Sequence, residues 1–305
     1  MRNPVFTIII PHYDIPDLLM RCLQTIPVRE DIQVIVVDDC SPDAAHYQID
    51  YPELSRPYLE FYHTSVGGSA GRARNLGLDH AKGKWLIFID ADDFFVEGMT
   101  SILEEARNKN EDIQFYNYHV VKNSDLTTPG VRNWYSKYFE EYAKDKNDER
   151  FRYKFDPLYG KLFNREFVCK NQIRFDESSH GNDVRFSFEC GALAESIAII
   201  DKPFIVVTER EGSLASSQFT GKKPSIQEFT ARMSVTLETT RFKDLHHICV
   251  DYAPYKSFSY PFFSTYPIAF SRFFFGVIIP RYPKYAPHVI LSICRRYLWR
   301  LRHLF

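Results

Sequence analysis

Short apolar runs alternate along the first third of the chain with amphipathic stretches. "VFTIII" (5–10) is continuous and rich in β-branched residues, as in a strand buried on both faces. "QVIVVDD" (33–39), "YLEFYH" (58–63) and "WLIFID" (85–90) read as three further strands, and "DIQFYNYHV" (112–120) as a fifth. After the first strand, Asp14 is placed to cap a helix with Pro16 in its first turn; Leu18, Leu19, Cys22, Leu23 and Ile26 supply its core face. "GGSAGRARNLGLDHAKG" (67–83) reads as a helix closed by Gly83, with Ala70, Ala73, Gly77 and Ala81 as a small-residue stripe for close packing. Another helix is expected near 97–108. Strand alternating with helix implies a doubly wound α/β layer, mostly parallel, with flanking helices. From 121 to 155 the pattern becomes polar, aromatic and mixed in charge, which reads as an exposed insertion; it resumes over 156–210.

Composition narrows the class. The 305 residues are 45% hydrophobic and 25% charged with a net charge of −1, which excludes wholesale disorder and gives no global field for nucleic acid. Six cysteines without C-x-x-C spacing point to reduced thiols and a cytoplasmic setting. Pro11 ends the first apolar run too early for a secretory leader, and no uninterrupted apolar stretch reaches the roughly 18 residues of a spanning helix. Aromatics are abundant at 16%. Residues 252–305 carry eight Lys/Arg and no Asp or Glu among many aromatics, so 241–305 reads as a basic aromatic extension. It would lie against the inner face of a membrane, or pack within the protein or a homo-oligomer. The catalytic domain is placed at 1–240.

The candidate chemistry sits where strands end. Asp38 and Asp39 close the second strand, and Asp90, Asp92 and Asp93 close the fourth. In an open parallel sheet that edge binds ligands. Clustered carboxylates without His or Cys neighbours favour a hard divalent cation, Mg²⁺ or Mn²⁺, completed by substrate phosphates. Single members of these pairs also serve as helix and turn caps.

These residues carry a resemblance. "TIIIPHYD…LLMRCLQTI…VIVVDDCSPD…GGSAGRARNLGLDHAKGKWLIFIDADD" is similar to a family 2 glycosyltransferase of GT-A fold, with "PLYGKLFNREFV" (157–168) and "HGNDVRFSF" (180–188) as later matching pieces. Asp14 departs from the usual Asn, and Asn182 stands where a second acid is common. The resemblance implies an inverting transfer from a nucleotide-diphosphate sugar, most often a UDP-sugar, to a hydroxyl of a glycan or lipid-linked glycan. It assigns the base to Pro11, His12, Tyr13 and Asp39, and the diphosphate or ribose to Arg74. Asp90 and Asp92 form the D-x-D pair, with Asp92 the metal ligand and Asp93 the alternative. Asp183 is the general base at the head of a helix over 182–195, whose Val184, Phe188 and Ala192 face the core. That helix end would hold Asp183 ionised and less basic. Arg210 in "TEREGSLASS" reaches toward the diphosphate. Two other readings stand beside this one. "GGSAG" suggests a dinucleotide-dependent oxidoreductase, although Val66 takes the place of the first glycine of the fingerprint. A GT-A domain that binds sugar nucleotide without turnover is the other.

Overall fold

The computed structural model describes residues 4–42, 52–210 and 226–248. The apolar runs form β1 (Phe6–His12), β2 (Ile32–Asp38), β3 (Leu59–His63) and β4 (Trp85–Phe88), side by side and parallel in the order β3-β2-β1-β4. Every residue of β1, β2 and β4 is buried, which is why these segments read as unbroken apolar runs. The crossovers are α1 (Pro16–Gln24), a 3₁₀ turn (Pro52–Ser55) and α2 (Ala70–His80). The small-residue stripe lets α2 lie close on β1: a Cβ on Gly77 would stand 2.5 Å from Ile9 Cγ2.

The second half of the sheet mixes directions. β4 pairs antiparallel with β7 (Lys161–Asn164), which pairs antiparallel with β6 (Ile113–Lys122). β6 pairs parallel with β8 (Ile197–Glu209), and β5 (Phe94–Phe95) closes the edge antiparallel to β8. The full order is β3-β2-β1-β4-β7-β6-β8-β5, the GT-A arrangement. β7 has four residues and meets only Ile113–Phe115 of the ten-residue β6. Beyond Tyr116, whose N–H donates to Gly160 O, no described strand lies between the end of β4 and the upper half of β6. Gly160 makes this step possible. Its φ is +70°, and a Cβ there would stand 2.4 Å from Tyr116 O, so no other residue fits without strain.

The remaining helices are α3 (Met99–Ala106), α4 (Lys137–Asp145), α5 (Glu149–Lys154), α6 (Arg165–Lys170) and α7 (Val184–Leu193). A further helix, α8 (Ile226–Leu245), belongs to a second compact unit, in which Arg232 pairs with Glu228 at 2.5 Å. No described helix is long and apolar enough to cross a membrane. The extension from residue 249 onward lies outside the described residues.

Several local expectations need correction. Asp14 does not cap α1: its φ is +51°, its N–H donates to Ser41 Oγ, and the cap position falls to Ile15 without a side-chain bond. α2 starts with Ser69 as its cap and stops at Ala81, whose backbone turns extended; Gly83 lies beyond and donates to Thr7 Oγ1 instead. β4 ends at Phe88, so Ile89 and Asp90 belong to the turn that follows. Ala192 is half-buried, while Val184 and Phe188 are in the interior. The largest miss lies within 121–155: residues 123–134 are largely exposed as expected, but 135–155 carries two helices that send aromatic rings into the core. Phe139, Phe151 and Phe155 are fully buried, and the rings of Tyr135, Tyr138, Tyr142 and Phe115 pack around them. The signal was present: aromatics at 135, 138, 139 and 142 follow helical spacing, hidden among charges. Each buried phenyl ring is worth about 2–3 kcal/mol of transfer free energy.

Candidate active site

Parallel strands bring their C-terminal ends to one edge, so Pro11 and His12 of β1 stand beside Val37 and Asp38 of β2. Pro11 and His12 are buried, whereas Tyr13 is 56% exposed and faces out from the edge. Ile15 N–H donates to His12 Nε2 at 3.2 Å, which leaves the ring proton on Nδ1, 2.9 Å from Asp38 Oδ2. Asp38 also accepts from Ser41 N–H and Ser41 Oγ. Burial alone would raise its pKa; the bonds from His12 and Ser41 outweigh burial and hold it below the usual carboxylate range. Asp38 therefore ties together the loops after β1 and β2, a role sequence reading did not assign. Asp39 is buried and accepts from Thr64 Oγ1 and from the N–H groups of Gly68 and Ser69 at the entrance to α2. Three of roughly four carboxylate acceptor positions are thus used.

The turn after β4 gathers the acids. Asp93 N–H donates to Asp90 O, folding Asp90, Asp92 and Asp93 onto one another. One carboxylate oxygen from each lies within 4.8 Å of the others, a spread that one cation with oxygen ligands at roughly 2.1–2.4 Å can span. Asp90 is exposed, Asp92 half-buried and Asp93 buried. Burial first, and Asp90 next, raise Asp92 above its ordinary pKa; burial together with Asp92 and Asp90 raises Asp93 well above it. Such concentrated charge is what a cation neutralises. The three acids fit a hard divalent ion: an all-oxygen set, mutually close and otherwise repelling. The end of β8 fixes the turn from beneath, with Thr208 N–H donating to Asp93 Oδ1 and Thr208 Oγ1 to Asp92 O. Arg21 of α1 also donates to Asp92 O, and lies over Phe94. Arg210 Nε donates to Asp92 Oδ2 at 2.8 Å.

Arg74 joins the acids to the head of α7. It is 6% exposed, lies over Phe175, and donates to Asp90 at 2.5 Å and to Asn182 Oδ1 at 2.7 Å. It is therefore a buried bridging residue and not a surface one. Asp183 follows Asn182 at the cap position of α7, yet its side chain makes no capping bond. Burial raises its pKa, Arg74 and Lys161 oppose the rise, and Asp90 adds to it. The net direction is the reverse of that expected from the helix end alone, since desolvation outweighs the opposing charges of Arg74 and Lys161. Lys161, at the start of β7, is 1% exposed and donates to Phe155 O and Ser187 Oγ. Burial lowers its pKa to about 7, against the pull of Asp156. His180 bonds Ser179, and Arg185 pairs with Asp176 and Glu189, both local contacts. Cys22, Cys40, Cys169 and Cys190 are free thiols.

A parallel half ending in acids, with Arg74 joining the acid turn to the residue before a half-buried Asp183, forms one candidate site at the sheet edge. Comparison with known proteins gives its family. A family model, glycosyl transferase family 2, matches residues 7–168, more than half of the chain, and the chain belongs to that family. It is 25% identical over 224 residues to glycosyltransferase GlyA of Streptococcus pneumoniae, covering 68% of this chain and 31% of GlyA. It is 24% identical over 227 residues to poly(ribitol-phosphate) beta-N-acetylglucosaminyltransferase TarS of Staphylococcus aureus, covering 70% of this chain and 37% of TarS. The chain thus spans about a third of these two relatives. Among solved structures, TarS 1–349 in complex with UDP-GlcNAc matches at TM-score 0.60 and 21% identity, over 94% of this chain and 81% of that one. Mannosyltransferase PcManGT from Pyrobaculum calidifontis, in complex with GDP-Man and Mn²⁺, matches at TM-score 0.52 and 16% identity, over 97% and 76%. These likenesses show the fold. The dinucleotide-dependent alternative falls with the family membership.

Proposed function

We propose that this glycosyltransferase moves a sugar, with inversion, from a nucleotide-diphosphate donor, a UDP-sugar first, to a hydroxyl of a glycan or lipid-linked glycan. The observation that supports the reading is the bridge of Arg74 between Asp90 of the acid turn and Asn182, the residue before Asp183. The TarS complex with UDP-GlcNAc, and the polymer named in its function, support the donor and acceptor classes.

In this reading Pro11, His12, Tyr13 and Asp39 hold the base, with Tyr13 offering an exposed ring and Asp39 its remaining acceptor position. Arg74 holds the diphosphate or ribose. Asp92 and Asp93 hold Mn²⁺ or Mg²⁺, which when bound supplies a Lewis acid for the charge of the departing diphosphate. The acceptor hydroxyl attacks the anomeric carbon, the bond from that carbon to the phosphate oxygen breaks with its electron pair going to the diphosphate, and Asp183 takes the hydroxyl proton. A carboxylate with a raised pKa is the stronger base for that step, provided it is ionised. The adjacent positive charge of Arg74 favours the ionised form against the rise that burial causes. A glycan borne on a lipid would bring the enzyme to the inner face of a membrane.

The test is a screen of UDP-, GDP- and dTDP-sugars for metal-dependent turnover, followed by Asp183→Asn. The substitution should lower transfer by roughly 10²–10⁴-fold while UDP and Mn²⁺ still bind. Full activity in Asp183→Asn would remove the base from this account.

A further inference from the structure

Asp92 already has a cationic partner, and that partner differs from the one on Asp90. Arg74, on Asp90, is buried and held a second time by Asn182. Arg210, on Asp92, is 30% exposed in its side chain, and the bond described for it is the single one from Nε. Its backbone is steadied by its neighbour: Glu209 accepts from Val131 N–H, Arg132 N–H and Lys122 Nζ. A fixed root with a lightly held guanidinium on a long stem is suited to changing partners. The carboxylate it holds lies on the turn whose three oxygens fit a divalent ion. A guanidinium and a divalent ion on one carboxylate repel each other across a few ångströms in a partly desolvated corner.

We propose that Arg210 and the divalent cation are alternative partners of Asp92, so that cation entry releases Arg210 toward the anionic end of the nucleotide. The inference rests on the metal-dependent reading above and adds an exchange to it. In the free protein Arg210 masks the charge of Asp92 and weakens cation binding. With a nucleoside diphosphate present, the released guanidinium gains a new anion, so nucleotide and cation each strengthen the binding of the other. That coupling is reciprocal.

The experiment titrates the metal-free full chain with Mn²⁺ and reads free Mn²⁺ by electron paramagnetic resonance, first alone and then with saturating UDP. Arg210→Gln should bind Mn²⁺ in the absence of nucleotide roughly three- to tenfold more tightly than wild type, the range of a charged hydrogen bond of moderate exposure. UDP should then improve Mn²⁺ binding less in the variant than in wild type. Arg210→Lys, which keeps the charge, should stay close to wild type, and Arg210→Met repeats the test should the Gln variant fold poorly. Equal Mn²⁺ affinity of wild type and both neutral variants without nucleotide overturns the exchange, even where UDP and Mn²⁺ bind together normally. A wild type that takes up no Mn²⁺ even with UDP overturns both the exchange and the metal-dependent reading.

Discussion

Lys161 buries an ammonium group in an aromatic corner, and the pH dependence of stability should show it. Its Nζ stands 4.9 Å from the centroid of Phe155 and 5.4 Å from that of Phe115, and among the described residues it donates to Phe155 O and Ser187 Oγ. Burial lowers its pKa from 10.5 to about 7. Below pH 7 the folded and unfolded chains are both protonated here, so the full penalty applies. Above about 10.5 both are neutral and it vanishes. Between these limits the unfolded chain binds more protons, so stability rises with pH. The slope grows toward roughly 1.36 kcal/mol per pH unit as the folded group loses its proton, so the change from pH 7 to pH 9 is about 2.3 kcal/mol. Lys161→Met keeps the volume and removes the titration. Urea unfolding of both proteins at pH 7, 8 and 9 reads this group, because titrating groups remote from Lys161 cancel in the difference. Wild type should gain about 2–3 kcal/mol on the variant across that range. A difference that stays constant with pH would show that Lys161 remains protonated throughout and that the penalty argument is wrong.

Other outcomes follow from single features. Phe151→Ala should cost about 3–5 kcal/mol in chemical unfolding, since its ring is buried among Phe115, Phe139 and Phe155; a loss under 1 kcal/mol would return 135–155 to the status of an insertion. Gly160→Ala should destabilise by more than the roughly 1 kcal/mol typical of a left-handed glycine, because the new methyl meets Tyr116 O as well; a melting temperature equal to wild type would contradict this. Stripping the protein with a chelator should abolish thermal stabilisation by UDP, and excess Mn²⁺ should restore it, by about 2.7 kcal/mol at a hundredfold excess over Kd. UDP stabilisation of equal size without metal would separate the acid turn from donor binding.

The parallel half of the molecule was legible because central strands of such a sheet are apolar on both faces. Ile8–Ile10, Val34–Val37 and Trp85–Phe88 announce themselves, and the acids that follow them fall at the ligand edge by topology alone. What failed depends on contacts distant in sequence. Asp14 has the composition of a cap, but Ser41 takes its N–H and pulls its backbone into the left-handed region. Arg74 looks like any helix arginine until Asp90 and Asn182, sixteen and 108 positions away, close over it. Lys161 drew no reading from the sequence, and only the pairing of β7 between β4 and β6 puts it inside. The aromatic packing of α4 and α5 was written at helical spacing, but the surrounding charges masked it.

The shortness of β7 has a consequence for how this molecule can change. Because the strands diverge above Lys161, the two banks of the opening come from separate stretches of the chain: residues before Asp93 on one side, and the stretch from Tyr116 to Tyr138 on the other. The banks touch through Asn123 on Arg21 and through Val131 and Arg132 on Glu209, so a graft confined to 133–138 from a relative should alter which hydroxyl is glycosylated while UDP affinity stays put. A graft that instead weakened UDP would mean the two banks are not separable. A cleft bounded by a four-residue strand is a place where new specificities can arise without rebuilding the half proposed to grip the nucleotide.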